Sequence, residues 1–508
     1  MFDYVCECES VREGGKVTAS GPDDKADLRL LLSQIAREMD RIGPTAETLT
    51  AKADLLVQLG EPDAARLAYL AALQIDETHL FALNNFGALA EAGGFISAAT
   101  TLYAQAANAH PKDAASKVNL ASALLRLGQL DAAEATLDQA LAADPHFAPA
   151  HRARARLLSR QGEARLARES LKCGFADQAV FPPTDGRPPS GRPRVLKLIS
   201  GLEADTPLDP ILDPDRFQVT ALAAEFFDLN SPPPPHDVIW NAIAEADLCA
   251  EGLSAAQTCL EAWGAVAINP PEKVRLTGRC ETAQRLGALV GVVTAPILAL
   301  TKPDLLAGPA NPCLLKLGET GSRLSFPLAI RTRGLHFGQA FERVETADEL
   351  IQTVARLPGD DLFVMAFLDT RGEDGLYRKY RMMSVAGQLL PVHLARSRHW
   401  KVHLANAEES AGEAHAREEE RFLTDPAAAL GQPAFEALRR IQAAVSLDYF
   451  GMDFALTPSG QVVLFEANAA MAVPLTGNAP RDEAARLIQA AARQMIHGRR
   501  QSDLRPSR

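Results

Sequence analysis

The sequence lacks several features that would assign it to a particular class of protein. Its 508 residues contain no run of about 18 apolar residues, so no segment is predicted to span a membrane. Its seven cysteines are odd in number and mostly scattered, which argues against a disulfide framework. The opening residues, MFDYVCECESVREGG, lack the basic and apolar segments of a signal peptide. These absences predict a cytoplasmic protein.

Positive charge is also in deficit. Lys and Arg number 52 against 64 Asp and Glu, which gives a formal net charge of −12. Non-specific nucleic-acid binding depends on basic residues that neutralise phosphates, so we expect no nucleic acid as partner. The lack of a long apolar run likewise predicts no membrane partner. The composition, with 47% hydrophobic and 23% charged residues, is that of a soluble globular protein. The length suggests about two to four folding units.

An internal repeat occupies residues 45–175. Four glycines recur at intervals of 34 residues: Gly60, Gly94, Gly128 and Gly162. Small residues recur at the same interval, at Ala65, Ala99, Ala133 and Ala167, and earlier in each unit at Ala53, Gly87, Ala121 and Ala155. Larger residues recur at Tyr69, Tyr103, Leu137 and Leu171, and prolines at Pro111 and Pro145. The pattern predicts pairs of amphipathic helices in which small residues allow close approach and glycine forms the turn.

This pattern resembles the tetratricopeptide repeat, whose period is 34 residues. The resemblance implies an all-α array over residues 28–175, in which stacked units bury a core that one unit could not bury alone. Such an array could recruit a peptide, a protein or a partner enzyme, or it could be a purely structural or dimerising arm. Residues 1–27 show no period and are expected to be disordered, and a helix is expected from Leu28 to Arg41.

A different pattern follows the repeats. Residues 176–193 are rich in Pro and Gly and are predicted to form a linker. From Arg194 onward, strands alternate with helical segments, which predicts an α/β domain. Long β-rich stretches around residues 362–369 and 376–395 then favour antiparallel sheet. The predicted fold class is therefore multidomain, an all-α array followed by α/β and α+β layers.

The most informative segment is GMDFALTPSGQVVLFEANAAM, residues 451–471. Its TPSG sequence predicts a turn between two strands. If Leu456 pairs with Gln461, Asp453 lies opposite Leu464 and diagonal to Glu466. Alternation along the strands then places three oxygen-bearing side chains on one face, those of Asp453, Glu466 and Asn468. The opposite, core face would carry Met452, Phe454, Leu456, Val463 and Phe465.

Two carboxylates and an amide oxygen on one face suit a hard cation. Mg²⁺ prefers oxygen ligands and often combines one or two carboxylates with substrate phosphates. The alternative is that these residues are simply the polar outer face of an exposed hairpin.

An Asp on one strand followed by FEANA on the next resembles the metal-binding end of the ATP-grasp superfamily, which includes glutathione synthetase-like and D-alanine–D-alanine ligase-like enzymes. The resemblance covers residues 194–497. It implies three subdomains, an N-terminal one at 194–295, a central ATP-binding one at 296–375 and a C-terminal one at 376–497, followed by a basic tail at 498–508. It also implies ATP and one or two Mg²⁺ ions as cofactors, with the metal held by Asp453, Glu466 and Asn468.

The resemblance assigns further residues to the nucleotide. Arg279 and Arg331 stand where the family usually has phosphate-contacting lysines, and Arg retains the charge and can bind bidentately. The loop over the phosphates corresponds to Arg333, Gly334, His336 and Gly338. The strand that meets the adenine and ribose corresponds to Met365, Ala366, Phe367 and Asp369.

Basic residues farther along the chain are candidates for catalysis and for the substrate pocket. Lys379 and Arg381 alternate onto one face of a strand, where two cations favour an anion between them, and Arg381 is the candidate for stabilising the transferred phosphoryl group. His393, Arg396 and His399 follow closely and would line the acceptor pocket or serve as structural groups.

The resemblance implies an ADP-forming ligase. A carboxylate substrate would be phosphorylated to an acyl phosphate, and an amine acceptor would then form an amide or related bond. This path needs no nucleophilic side chain, in keeping with the lack of a Ser-His-Asp or Cys-His pattern. Two alternatives stay open, a phosphotransferase on the same scaffold and a repeat scaffold with an inactive nucleotide-binding domain.

Overall fold

The computed structural model describes residues 25–183, 191–202, 205–306, 324–334, 340–402, 412–473 and 475–503. They form two compact units. The first comprises the helices up to Gln178 apart from Arg160–Gly162, and the second comprises Arg160–Gly162, Ala179–Pro182 and the chain from Arg192 onward. Two predicted loop residues, His336 and Gly338, and the predicted disordered residues 1–24 lie outside the described part of the chain.

The first unit is a helical array. A single helix, α1, precedes four helix pairs, so the predicted pairing is confirmed. The helices are α1 (Lys25–Ile42), α2 (Ala46–Leu59), α3 (Pro62–Ile75), α4 (Leu80–Ala92), α5 (Ile96–Ala109), α6 (Ala114–Arg126), α7 (Leu130–Ala143), α8 (Ala148–Arg160) and α9 (Ala164–Gly174).

The repeating positions explain the pairing. Each of the four recurrent glycines ends or follows the first helix of a pair with a positive φ, between 75° and 83°, a conformation that favours glycine. The recurrent alanines are almost wholly buried between the paired helices. Gly87 shows why one position must be small, because a Cβ atom there would lie 2.5 Å from the ring of Tyr103.

Polar side chains link successive first helices of the array. Asn84 donates to the Ser116 hydroxyl at 2.8 Å and accepts from Asn119 at 3.0 Å. Nearby, Asp54 accepts from Asn85 at 3.0 Å. Each of these contacts joins residues 31 to 35 positions apart, which is close to the 34-residue period. They therefore fix the register of one repeat on the next.

The second unit begins with a mostly parallel sheet. Its strands are β1 (Val180–Phe181), β2 (Arg194–Ile199), β3 (Gln218–Ala223), β4 (Val238–Asn241) and β5 (Ala267–Ile268), in the order β1-β3-β2-β4-β5. The strand β1 is antiparallel to β3, with Val180 opposite Leu222, and the other pairs are parallel. Part of the segment predicted as a linker therefore belongs to the sheet.

A four-stranded antiparallel sheet follows. Its strands are β7 (Ile297–Thr301), β8 (Leu328–Thr332), β9 (Phe341–Val344) and β10 (Asp361–Ala366), in the order β7-β10-β8-β9. The apolar stretch LFVMA forms the strand β10, which lies between β7 and β8 because its residues are suited to burial on both sides.

The third sheet has five strands. They are β6 (Val292–Thr294), β11 (Tyr377–Val385), β12 (Gln388–Ser397), β13 (Tyr449–Leu456) and β14 (Val462–Asn468), in the order β12-β11-β13-β14-β6. All pairs are antiparallel except β14 with β6. The strand β6 lies within the predicted N-terminal subdomain by sequence, yet it pairs with the C-terminal sheet.

Helices of the second unit pack on these sheets. They are α10 (Ala250–Trp263), α11 (Pro271–Val274), α12 (Arg279–Leu286), α13 (Lys302–Leu306), α14 (Ala347–Arg356), α15 (Glu413–Thr424), α16 (Pro426–Leu430), α17 (Gln432–Val445) and α18 (Ala479–Asp503). The main core combines residues of the first and third sheets with α10 and α17, including Leu198, Ile239, Met452 and Phe454. The helix α18 extends into the segment that had been predicted as a tail.

Asn269 joins the first sheet to the third. Its fully buried side chain donates to the Tyr449 carbonyl at 2.6 Å and accepts from the Tyr449 N–H at 2.9 Å. It adopts a φ of 55°, which Asn tolerates better than most residues. The backbone beyond β5 is thereby attached to the start of β13.

Within the described ranges, no helix is both long enough and apolar enough to cross a membrane.

Candidate functional site

A cavity of about 250 Å³ lies in the second unit and is lined by residues of its four-stranded sheet and of its third sheet. Residues after β4 and the start of α12 also contribute to its wall. The sequence-predicted site residues that line it are Arg279, Arg331, Met365, Ala366, Phe367, Lys379, Asp453, Glu466 and Asn468. Residues from widely separated parts of the chain are thus brought together, whereas the candidate catalytic residue Arg381 does not line the cavity.

A row of paired residues crosses the third sheet beside the cavity. His393 on β12 pairs with Arg381 on β11, Arg381 pairs with Asp453 on β13, and Asp453 pairs with Glu466 on β14. Directly opposed residues in antiparallel strands have neighbouring side chains. The sheet therefore alternates an imidazole, a guanidinium and two carboxylates along one line.

The hairpin register differs from the one predicted from its turn. Leu456 pairs with Val462 rather than Gln461, and the register shifts by one more residue between Asp453 and Phe454. Asp453 is consequently opposite Glu466 and not opposite Leu464. A bulge of this kind inserts an extra residue and re-aims its neighbours, and the alternating pattern of the sequence does not reveal it.

Because of the bulge, two residues that were predicted on the core face, Phe465 and Val463, do not lie on it. Phe465 is 41% exposed and lines the cavity, because it lies at the position where the register shifts. Val463 pairs with Ala455, which shares the face of Asp453. The core face is formed by Met452, Phe454, Val462, Leu464 and Ala467.

Asp453 is the most strongly bound carboxylate of the row. Its side chain is wholly buried and accepts from Arg381 at 2.6 and 2.8 Å. Lys379 lies 2.7 Å from its second oxygen. Burial opposes ionisation, but Arg381 and Lys379 together hold the pKa of Asp453 well below its usual range.

The neighbouring carboxylate is less enclosed. The side chain of Glu466 is 24% exposed and accepts from Arg279 at 2.9 Å. Burial raises the pKa of Glu466. The positive charges of Arg279 and of other nearby cations lower it, and their combined effect is the larger one. Arg331 lies on the same wall, and burial followed by the charge of Arg279 lowers the pKa of Arg331 to about 10. Arg331 therefore remains a cation at neutral pH.

The donor set fits a hard cation bound together with a phosphate chain. Asp453, Glu466 and Asn468 offer oxygen atoms. Asn468 pairs with Gly451 in the same ladder in which Asp453 pairs with Glu466. The Asn468 side-chain oxygen accepts from the Ala470 N–H at 3.0 Å. A carboxylate or amide oxygen has a second lone pair, so these contacts leave acceptor capacity, above all on the partly exposed Glu466. No group of three or more His, Cys, Asp or Glu residues suited to a metal occurs in the described part of the chain.

Three other predicted nucleotide residues do not line the cavity. Arg333 donates to the Asp247 carbonyl, and Gly334 packs near Leu248. Asp369, predicted to meet the ribose, accepts from the side chain of Arg371 at 3.0 and 2.9 Å and closes its own loop.

The predicted acceptor residues are dispersed. His393 is buried beside Arg381, and burial followed by that positive charge lowers its pKa to about 3, so it is neutral. Arg396 contacts Glu418 at 3.2 Å, and His399 is exposed. None of the three lines the cavity, because His393 and Arg396 alternate onto opposite faces of β12 and His399 lies beyond the end of that strand. The closeness of these three residues in the sequence therefore did not indicate a pocket.

The structure adds residues that the sequence did not single out. Glu245 and Asp247, in the segment after β4, line the cavity, and burial raises the pKa of Glu245 to about 7. The Asp247 carboxylate accepts from the backbone N–H of Arg279 at 3.0 Å and so holds the start of α12. The EAD sequence after a buried strand was a usable signal, since ligands collect at the carboxyl ends of parallel strands.

Aromatic residues form another part of the wall. The ring of Trp400 meets that of Phe341 at 5.0 Å and that of Phe367 at 5.6 Å, both edge to face. All three line the cavity. The cavity thus has an aromatic part and a charged part, which suits a ligand with a planar apolar group and an anionic group.

Comparison with known proteins identifies the class of the first unit. Residues 46–79 and residues 94–169 match family models described as tetratricopeptide repeat. The chain therefore contains tetratricopeptide repeats, as the 34-residue period predicted. Repeats of this kind commonly bind peptide or protein partners. Both matches end before Ala179, from which the sheets of the second unit are built.

Solved structures give weaker likenesses. A crystal structure of MamA is 17% identical, covers 30% of this chain and 89% of its own, and has a TM-score of 0.28. PilF of Pseudomonas aeruginosa is 18% identical, covers 30% of this chain and 69% of its own, with a TM-score of 0.28. MamA from Desulfovibrio magneticus RS-1 is 19% identical, covers 31% and 96%, with a TM-score of 0.25. TM-scores this low support no argument about function. No curated protein matches the chain.

Proposed function

We propose that the second unit is an ATP- and magnesium-dependent carboxylate–amine ligase of the ATP-grasp type, and that the repeats recruit its peptide or protein substrate or a partner enzyme. One observation carries the proposal. The cations Arg279, Arg331 and Lys379 line the same cavity as Glu466 and Asn468, between two antiparallel sheets. Buried cations of this kind favour a polyanion, and the oxygen-bearing side chains favour the cation that accompanies it.

The named residues meet the electrostatic demands of phosphoryl transfer, which depends mainly on positioning and charge neutralisation. Arg279 and Arg331 would neutralise phosphate oxygens, and Lys379 would face the transferred group from β11. Arg381, which does not line the cavity, would act by holding Asp453. Asp453 holds both β11 cations in place through its two oxygens. Mg²⁺, when held by Asp453, Glu466 and Asn468, would supply further neutralisation of phosphate charge.

The chemistry balances without a nucleophilic side chain. An oxygen of the substrate carboxylate bonds to the γ-phosphorus, and ADP leaves with the electron pair of the broken phosphorus–oxygen bond. The neutral amine nitrogen then bonds to the acyl carbon, and phosphate leaves with the carbon–oxygen pair. The amine gives up one proton to solvent. The aromatic wall at Phe341, Phe367 and Trp400 would accommodate the planar base.

The test is ADP release by the full chain with Mg²⁺, ATP and a panel of amino acids and short peptides, with products identified by mass spectrometry. An amide product supports the ligase. A phosphorylated acid that persists in the presence of amines would instead establish a phosphotransferase. Glu466→Gln should lower turnover by at least about 100-fold, whereas Glu420→Gln on the exposed surface of α15 should not change it. Equal activity of the two variants would refute the site.

Recruitment by the repeats is tested separately. The edge strand β1 belongs to the second unit, so a shortened chain should begin at Ala179 rather than after it. We expect this chain to bind nucleotide like the full chain but to use a large peptide or protein substrate poorly. Equal use of small and large substrates by both chains would refute recruitment.

A further inference from the structure

Lys379 places an ammonium group on the cavity wall beside Asp453. It lies on β11 two residues before Arg381, so both side chains project from the same face of that strand. Arg381 pairs with Asp453 across the ladder, and Lys379 is diagonal to Asp453, within reach of a long side chain. The Nζ atom of Lys379 lies 2.7 Å from one oxygen of Asp453. Because Lys379 also lines the cavity, its ammonium group contributes positive charge there.

The carboxylate of Asp453 has little acceptor capacity left for a metal. Arg381 donates to its two oxygens at 2.6 and 2.8 Å, and Lys379 lies against the oxygen that receives the longer of these bonds. A metal ion bound to both oxygens of this wholly buried side chain would have to displace these donors. It would then lie beside the guanidinium of Arg381, a charge of the same sign. A metal on this wall can therefore use Asp453 only through a remaining lone pair.

The other oxygen donors of the site suffice for one ion. Glu466 is partly exposed and accepts from Arg279 at 2.9 Å, which leaves lone pairs on its carboxylate. Asn468 likewise has a lone pair beyond its bond from the backbone of Ala470. One Mg²⁺ needs only one or two carboxylates besides phosphate oxygens and water. A second ion would need further ligands, and the described ranges contain no cluster of three or more carboxylate, imidazole or thiol groups suited to a metal.

We propose that Lys379 replaces one of the two divalent cations that many phosphoryl-transfer sites employ, so that the cavity binds a single Mg²⁺ with its nucleotide. The proposal rests on the proposed function and specifies its metal requirement. The ion is held chiefly by Glu466 and Asn468, and the ammonium group of Lys379 occupies the side of Asp453. A fixed ammonium group neutralises phosphate charge as a second ion would, and it needs no ligands of its own.

The experiment counts bound metal ions rather than turnover. The full chain is dialysed to equilibrium against a non-hydrolysable ATP analogue and Mn²⁺, which prefers the same oxygen ligands as Mg²⁺. The Mn²⁺ and the analogue held by the chain are both measured, which gives the number of ions per bound nucleotide. Lys379→Met removes the ammonium group from an unbranched side chain, and Lys379→Arg retains the charge. Lys401→Met is the matched control, because Lys401 also lines the cavity but lies 3.3 Å from Glu342.

We expect about one Mn²⁺ per bound analogue in the wild-type chain, in Lys379→Arg and in Lys401→Met. In Lys379→Met an oxygen of Asp453 becomes open to the cavity, so the ratio should rise to about two. A purely structural role of Lys379 would alter the stability of the chain and leave the ratio at about one in every variant.

Two results would overturn the role of Lys379 while leaving the ligase proposal intact. The first is a second ion per analogue in the wild-type chain, an outcome that decides the matter even if Lys379→Met binds no nucleotide. The second is a ratio in Lys379→Met that equals the wild-type ratio. A wild-type chain that binds no analogue in the presence of Mn²⁺ would instead overturn the proposed function itself, and the metal count with it.

Discussion

Asp453 lies directly opposite Glu466 in the ladder between β13 and β14, although only Glu466 is in part exposed. Two carboxylates this close repel each other unless cations accompany both. Asp453 is bound by Arg381 and Lys379, and Glu466 by Arg279. The pair is therefore the centre of an ion cluster, and the two members differ in how far the fold depends on them.

Asp453→Asn should destabilise the second unit more than Glu466→Gln does. Removing the buried charge of Asp453 leaves two cations without their carboxylate, at a cost of about 3–5 kcal/mol. Glu466 is partly exposed, and the amide oxygen of Gln could still accept from Arg279, so this substitution should cost less. Urea unfolding of the full chain measures the difference, and a larger effect of Glu466→Gln would contradict the assigned burial.

Trp400 should report nucleotide binding. Its ring lines the cavity and contacts Phe341 and Phe367, so an occupied cavity changes its surroundings. We expect Mg·ATP to change the tryptophan fluorescence of wild type, and Trp400→Phe to abolish the change. Trp263→Phe is the matched control, because Trp263 contacts Phe227 and does not line the cavity. A signal that follows Trp263 instead would argue against nucleotide in this cavity.

The features that could be predicted from the sequence are those that follow from a local, periodic pattern of residues. The repeat glycines were readable because a positive φ at a fixed period requires that residue at each turn. The grouping of Asp453, Glu466 and Asn468 on one face was also readable from alternation along two strands. Both features are local and periodic, so the chain displays them directly.

Other features depend on contacts that no local pattern records. The bulge after Asp453 altered the pairing of the hairpin, and β6 paired with β14, a strand that follows it by more than 150 residues. The cluster around His393 suggested a pocket, but His393 and Arg396 alternate onto opposite faces of β12 and His399 lies beyond the end of that strand. Glu245 went unnoticed because its significance comes from cavity neighbours that are distant in sequence.

Gly87→Ala should destabilise the repeat array. The added methyl group would meet the Tyr103 ring at 2.5 Å, and that ring is held by a hydrogen bond from its hydroxyl to Glu91 at 3.1 Å. Overpacking of this kind costs about 1–3 kcal/mol. Thermal unfolding followed by circular dichroism measures the loss. Gly498→Ala is the control, because a Cβ there meets open space on α18. Equal stability of the two variants would show that the Tyr103 contact is not a tight one.

Asn269→Ala should weaken the attachment of the first sheet to the third. The substitution leaves the buried N–H and carbonyl of Tyr449 without their Asn269 partners, and each such group costs about 1–3 kcal/mol. Hydrogen exchange measured on peptides that contain Tyr449 should become faster. Asn230→Ala, at an exposed turn, should leave this exchange unchanged. Unchanged protection in Asn269→Ala would mean that the two sheets are held together by other contacts.

Calorimetric titration of the full chain with a non-hydrolysable ATP analogue, with and without Mg²⁺, tests the central claim most directly. The account predicts saturable binding that needs Mg²⁺ and that weakens by at least about 10-fold in Arg279→Ala, which removes a cation from the cavity wall. Arg417→Ala, on the exposed face of α15, should bind like wild type. No binding by the wild-type chain, or binding unaffected by Arg279→Ala, would contradict it.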